Sequence, residues 1–280
     1  MEKSIKKYFP IFLLPTLIAF SIAFLIPFFM GLFLSFSEFT TVVDAKFVGL
    51  SNYIKAFSNK DFTNALLFTL KFTAVSIITI NVFAFALAML LTKGIKGTNT
   101  FRTIFFMPNL IGGIVLGYIW QLIINGVLIR FGVTITYKAS YGFWGLVILS
   151  NWQMIGYMMV IYIAGIQNIP PELIEASKID GANFFQVLKN VTIPLVMPSV
   201  TICLFLTLAN SFKMFDQNLA LTAGAPAKQT QMLALDIYNT FYGTVGWEGV
   251  GQAKAVVFSV ILAVIGTTQL YFTGRKEIEN

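Results

Sequence analysis

Apolar residues occur in this chain as long unbroken runs, not as the period-3.6 or period-2 stripes of a protein folded in water. Between charged residues lie six such runs: Tyr8–Ser37, Phe72–Thr92, Thr103–Ile129, Ala139–Pro171, Asn190–Phe212 and Ala255–Gly274. Each is long enough for the roughly 20 helical residues that cross a hydrocarbon core about 30 Å thick. The pattern predicts an all-α, polytopic membrane protein. We expect a single transmembrane domain over residues 1–280, with six helices at 10–36, 68–92, 103–127, 141–168, 191–212 and 255–273. Period argues against a transmembrane β-barrel, whose strands alternate over about ten residues. The first run follows Lys3, Lys6 and Lys7, as a signal peptide would, but it is too long for a signal-peptide core and no small-x-small cleavage site follows it. It is read as a retained span, bent by Pro15 and Pro27.

Composition narrows the chemistry. Only 11% of the residues are charged, against about a quarter in a soluble domain. There is no His, so the usual general base and the commonest metal ligand are missing, and no metal site is expected. The single cysteine, Cys203, excludes an internal disulfide framework. The net charge of +7 does not point to nucleic acid, because the basic residues punctuate the apolar runs instead of gathering on one polar face. They set orientation instead. Six spans put both termini on one side. If that side is cytoplasmic, the inner segments carry Lys3, Lys6, Lys7, Lys93, Lys96, Arg102, Lys178, Lys189, Arg275 and Lys276, and the much longer outer loops carry the remainder. The short inner loop with Lys93, Lys96 and Arg102 holds no acid, and short loops weigh most in the positive-inside rule.

One polar segment has a legible shape, the cytoplasmic loop 170–190 between spans four and five. Pro170 and Pro171 end the fourth span and suit a first helical turn, where Glu172 complements the helix dipole. Glu172 to Ile179 predicts two helical turns. Asp180-Gly181 then predicts a stop, with Gly taking a left-handed cap and Asp capping the next helix, from Ala182 to Asn190. Pro194 and Pro198 follow at the start of span five. Physics leaves two readings of this helix–Gly–helix open: an amphipathic loop resting at the membrane surface, or an element docking in a soluble partner.

Glu175-Ala176-Ser177, Asp180-Gly181-Ala182 and Ile193-Pro194 together resemble the EAA loop of binding-protein-dependent ABC importer permeases. That family's pattern is E-A-A, three residues, G, nine residues, I-x-L-P. Glu175, Ala176 and Gly181 match in register, while Ser177 and Val191-Thr192-Ile193-Pro194 depart mildly. Phe47-Val48-Gly49-Leu50-Ser51-Asn52-Tyr53 is similar to the family's F-V-G-L-x-N-Y, and Phe101-Arg102-Thr103 with Phe106-Met107-Pro108 resembles the start of its third span. Phe212 to Asp216 and Leu221-Thr222-Ala223-Gly224-Ala225-Pro226 are similar to the segment after span five in carbohydrate permeases, where L-T-x-G-G-P is common and Ala225 departs. The resemblance covers nearly the whole chain and points to the carbohydrate-uptake, maltose-permease-like branch.

What the resemblance implies is a type I ABC importer permease fold in the plasma membrane, with no enzyme activity of its own. A second homologous permease subunit, most simply in a heterodimer, completes the pathway through the lipid. An extracytoplasmic solute-binding protein delivers a sugar, and two ATPase subunits dock below; in the long outer loop, Met232, Leu235, Tyr238 and Tyr242 at helical spacing predict a surface helix that either meets the binding protein or rests against the membrane. The chain has no G-x-x-x-x-G-K-[ST] loop, so ATP and Mg belong to those partners, and this chain binds no cofactor. Coupling falls to Glu175, Ala176, Ser177, Asp180, Gly181 and Ala182. Polar residues inside spans tend to line cavities, which makes Asn151, Gln153, Tyr157, Asn210, Lys213 and Asp216 the candidate substrate residues, each with an interhelical hydrogen bond as the alternative. Trp120 and Trp152 are stacking or anchoring residues, and Asn81, Gln121 and Asn125 are weaker candidates. A permease for glycerol phosphate, an amino acid or a peptide is the remaining alternative. A secondary transporter or intramembrane enzyme lacks a carboxylate in any span to work with.

Overall fold

The structure, a computed structural model, describes residues 2–275, and within them no side chain of residues 2–8, 10 and 12. Lys276 and the side chains of Lys3, Lys6 and Lys7, invoked for orientation, lie outside the described residues. Helices account for almost all regular structure: α1 (Glu2–Phe20), α2 (Ile26–Ser35), α3 (Ser51–Ser58), α4 (Lys60–Leu91), α5 (Thr98–Phe106), α6 (Gly113–Leu128), α7 (Ala139–Gln167), α8 (Pro171–Ile179), α9 (Phe184–Val187), α10 (Ile193–Leu195), α11 (Met197–Phe212), α12 (Asp216–Leu221), α13 (Leu233–Gly243) and α14 (Glu248–Gly274). Among the described residues, five stretches are long and apolar enough to cross a membrane: Leu13–Ser35, Lys60–Leu91, Gly113–Phe131, Ala139–Gln167 and Glu248–Gly274. The sixth expected span is a bent pair, Phe184–Leu195 with Met197–Phe212, at 72°.

The second and sixth helices start ahead of the expected 68 and 255, at Lys60 and Glu248, and two other runs are broken where proline falls. The run at 103–127 is not one helix. It stops at Phe106, passes through a 3-10 turn at Met107–Leu110 that holds Pro108, and restarts at Gly113. Proline donates no backbone hydrogen bond and clashes with the preceding turn, and Gly112-Gly113 adds no propensity to bridge the gap. The fifth run turns at Val196, so its membrane-crossing helix begins at Met197 with Pro198 in its first turn, not at 191. In the first span the prolines act more gently. Pro15 lies within α1, and a π-helical stretch at Ser21–Leu25 precedes Pro27, absorbing the mismatch in the hydrogen-bond ladder.

The chain divides into two compact units, Met1–Phe62 with Ile237–Ser259, and Thr63–Asp236 with Val260–Asn280. In the first, α2 runs into a short hairpin, β1 (Ser37–Glu38) against β2 (Lys46–Phe47). The F-V-G-L-S-N-Y motif explains itself there. Buried Asn52 donates to the Ser35 and Ser37 carbonyls at 3.1 and 2.9 Å, satisfying groups that the end of α2 leaves unpaired. Tyr53 shares a hydrogen bond with Ser35 Oγ at 2.7 Å. At the hairpin tip, the Thr41 backbone N–H, with that of Thr40, holds the Asp44 carboxyl below the usual carboxylate range. Lys254 is wholly buried, donating to Thr240 Oγ1 at 2.7 Å with its ammonium 5.3 Å from the centre of the Phe62 ring.

The second unit packs α4, α7 and α11 side by side. One apolar cluster joins Ile80, Ala84 and Ala88 of α4 to Met158, Met159 and Tyr162 of α7 and Cys203 of α11. Asn81 fastens the three helices: it accepts from Tyr162 Oη at 2.8 Å and donates to Thr207 Oγ1 at 3.2 Å. α7 can lie this close to α5 because residue 156 is glycine. A Cβ there would sit 1.7 Å from the Phe105 carbonyl oxygen.

Candidate functional site

Residues four apart on a helix share a face, and α7 and α11 each present such a pair. Gln153 and Tyr157 from α7, and Leu206 and Asn210 from α11, line one cavity of about 580 Å³. Lys213, Met214 and Phe215 after α11, and Asp216 and Gln217 of α12, continue its wall. Asn109, from the turn that breaks the third run, completes it. Irregular backbone at membrane depth is tolerated where it is buried or lines a watery cavity, and this break does the latter. Five of the six expected polar residues, Gln153, Tyr157, Asn210, Lys213 and Asp216, thus meet in one place.

Asn151 does not join them. It donates to Thr79 Oγ1 at 3.0 Å and to the Val147 carbonyl at 2.8 Å, and it borders a separate apolar groove of about 480 Å³ beside Trp152. Two residues of helix turn a side chain about 200° away from Gln153, so Asn151 takes the interhelical role. Trp120 and Trp152 pack edge to face at 5.7 Å away from the polar cavity. Gln121 donates to the Leu221 carbonyl, and Asn125 accepts from the Ile135 backbone N–H, so both are structural ties.

The cavity also holds residues the sequence reading passed over. Asn109 was hidden in a run read as continuous helix, and Gln217 in a segment read as loop. The signals were there: Pro108 before a Gly-Gly pair, and an amide one residue beyond Asp216. Gln217 Nε2 donates to Gln153 Oε1 at 2.9 Å. Among the described residues the side-chain amides of Asn109 and Asn210 and the Tyr157 hydroxyl have no hydrogen-bond partner, and the Tyr157 ring packs edge-on to Phe106 at 6.2 Å. The arrangement offers amides, a phenol, one ammonium and one carboxylate. That is chemistry for hydrogen-bonding a polyhydroxylated solute, and it contains no nucleophile–base pair.

At the far end of α7, loop 170–190 folds into an elbow. α8 begins at Pro171 with Glu172 in its first turn. It ends in a paired left-handed cap: the Ala182 backbone N–H donates to the Ser177 carbonyl at 3.0 Å and the Gly181 N–H to the Lys178 carbonyl at 3.1 Å. Gly181 has φ +79° and open space around its Cα, so conformation alone demands glycine there. The next helix is capped by Asn183, not Asp180. Asn183 Oδ1 accepts from the Gln186 N–H at 3.0 Å while Gln186 Oε1 accepts from the Asn183 N–H at 2.7 Å. That helix continues through a π-helical stretch, Leu188–Thr192, into α10.

Glu175, Ala176, Asp180 and Gly181 are exposed on the elbow, while Ser177 and Ala182 are half-buried. Ile179 is 86% and Phe185 77% exposed, apolar area that a polar loop alone does not account for. On the other side Ile174 packs against the apolar cluster that joins α4, α7 and α11. The outer segment after α12 is equally well tied. Asn218 Nδ2 donates to the Thr230 carbonyl and its Oδ1 accepts from the Met232 N–H, pinning the L-T-A-G-A-P turn. Beyond it Met232 and Leu235 are buried, and Tyr238 and Tyr242 are exposed.

Comparison with known proteins gives a consistent picture. The profile of the family described as "Binding-protein-dependent transport system inner membrane component" matches residues 81–276. The chain is 48% identical over 277 residues to a probable starch degradation products transport system permease protein, AmyD, of Thermoanaerobacterium thermosulfurigenes, covering 96% of this chain and 94% of the relative. It is 30% identical to the arabinooligosaccharides transport system permease protein AraP of Bacillus subtilis, covering 94% and 88%. Among solved structures, a chain of a bacterial ABC transporter that imports the acidic polysaccharide alginate superposes with a TM-score of 0.83 at 21% identity, over 98% of both chains.

Proposed function

Because this chain belongs to the family of binding-protein-dependent transport system inner membrane components, we propose that it is one permease subunit of an ATP-driven importer of oligosaccharides. The chain is a multi-pass membrane transport component, not an enzyme. The observation that carries the sugar reading is the cavity of Gln153, Tyr157, Asn210, Lys213 and Asp216, joined by Asn109 and Gln217. Its amides and phenol match sugar hydroxyls, and its ammonium and carboxylate balance, as suits an uncharged glycan. The relatives named for starch degradation products and arabinooligosaccharides support the same substrate class.

In this reading a solute-binding protein delivers the sugar from outside, and a second homologous permease subunit completes the pathway. Two ATPase subunits, which hold ATP and Mg, dock on the elbow from the cytoplasm, where both termini also lie. The side chain of Glu175 meets a basic residue of the ATPase, with Ala176, Ser177, Asp180 and Ala182 shaping the contact. Gly181 permits the turn. Because α8 is packed into the α4–α7–α11 cluster through Ile174, ATPase closure moves the cavity walls as a rigid body.

The test is uptake and ATPase activity of the reconstituted transporter carrying Glu175→Ala or Gly181→Val. Truncating one partner of an interfacial charge pair costs about 2–5 kcal/mol. A β-branched residue at positive φ adds strain of about 1–3 kcal/mol. Both variants are expected to insert normally yet lose binding-protein-stimulated uptake. Uptake at the parent level by both would overturn the coupling assignment.

A further inference from the structure

Resting on the cavity reading above, we propose that the Gln153–Gln217 amide pair is a latch in the cavity wall that opens by exchanging its amide–amide hydrogen bond for the hydroxyls of a sugar diol. The argument begins with what Gln217 is mounted on. α12 is fitted tightly to α6: a Cβ at Gly113 would meet Asp216 Cβ at 2.7 Å, and a Cβ at Gly117 would meet Ala220 Cβ at 2.7 Å. Gln121 Nε2, on α6, also donates to the Leu221 carbonyl at the end of α12 at 3.0 Å. The two helices therefore form one body.

Apolar contacts run along the seam with α7, Trp120 of α6 on Trp152 among them, and two further contacts bear on the latch. Toward the start of α7, Gly142 admits Thr230 so closely that a Cβ would lie 2.7 Å from Thr230 Cγ2, an apolar contact without a hydrogen bond of its own. About 16 Å further along α7, at 1.5 Å per residue, the link is the 2.9 Å bond from Gln217 Nε2 to Gln153 Oε1. Gln153 is 9% exposed, and its own Nε2 reaches the Ile111 carbonyl only at 3.5 Å. The amide pair is the short polar tie across this part of the wall, and both amides line the cavity.

The chemistry suits exchange. Each carboxamide holds donors and an acceptor, and a vicinal diol presents the same set, so a sugar can replace the partner amide one bond for another. Without a sugar, Gln217 donates to Gln153 and the wall stays closed. With one, the wall parts about the Gly142–Thr230 contact. A solute without paired hydroxyls breaks the amide bond and returns nothing. The pair would therefore both close the wall and select diols.

Two substitutions push the latch in opposite directions. Gln217→Leu removes the donor and frees the wall. Gln153→Glu keeps the acceptor, makes the bond charge-assisted and shorter, and tightens it. In the complete transporter in proteoliposomes, ATPase activity without binding protein and passive efflux of preloaded maltotriose are the readouts. Gln217→Leu is expected to raise both by about two- to tenfold, the factor by which one lost hydrogen bond shifts an equilibrium. Gln153→Glu is expected to lower both below the parent. A merely structural bond would change assembly yield but not move the two variants in opposite senses. If Gln217→Leu does not assemble, Gln153→Glu decides alone, and basal ATPase at or above the parent value overturns the proposal. Tyr157→Ala and Asn210→Leu separate the two claims. If they lose maltotriose uptake while the latch variants leave basal ATPase and efflux unchanged, the latch falls and the cavity stands. If they transport normally, the cavity reading itself falls.

Discussion

Gly156 shows how much one missing methyl group can hold. A side chain there would place its first carbon 1.7 Å from the Phe105 carbonyl, well inside any contact a folded protein keeps. Gly156→Ala is therefore expected to push α5 off α7 and lower thermal stability by about 1–3 kcal/mol, the usual cost of overpacking. Gly126→Ala, where nothing lies within 4 Å, should leave the melting temperature unchanged. At this scale the sequence was informative where chemistry is costly. A polar residue inside an apolar run needs a reason, and that test found Gln153, Tyr157 and Asn210. It could not separate Asn151, because knowing that an amide is buried does not say which side of the helix it leaves from.

Helical elements were legible in type and less so in extent. Five of the expected spans have a long apolar helix within them and the fifth run is a bent pair, as expected where burying backbone polar groups in lipid leaves little choice but helix. Breaks were harder to see, since apolar composition continues unchanged through Met107–Leu110 and Leu195–Met197 while the hydrogen-bond ladder does not. The elbow was read almost residue for residue, apart from its cap. Asn183 carries the second helix, so Asn183→Ala should cost about 1 kcal/mol of local stability, visible as faster amide exchange over Phe184–Val187. Asp180→Ala should leave those amides as protected as in the parent, since Asp180 makes no cap bond there.

For the molecule as a whole, orientation is the property most in need of measurement. The positive-inside rule predicts the elbow inside and the hairpin between β1 and β2 outside. Cysteines at Ala45 and at Glu175 are expected to react with a membrane-impermeant maleimide on opposite sides: Ala45→Cys in intact cells, Glu175→Cys only after the membrane is opened. Labelling of Glu175→Cys in intact cells would reverse the topology. The charge count makes that prediction, whereas the cavity's full wall does not follow from any local pattern. Asn109 and Gln217 reach the cavity through tertiary packing of the Met107–Leu110 turn and α12, which no local pattern encodes.

The same experiment draws on Cys203, which is 0% exposed between α7 and α11, its Sγ 3.7 Å from the Met158 carbonyl. A thiol in such a place is inert while the helices stay together. The natural chain is thus silent to thiol reagents when folded and becomes reactive when α11 leaves α7. It carries a built-in clock for its own unfolding, readable by a fluorogenic maleimide in detergent or lipid without engineering a single residue.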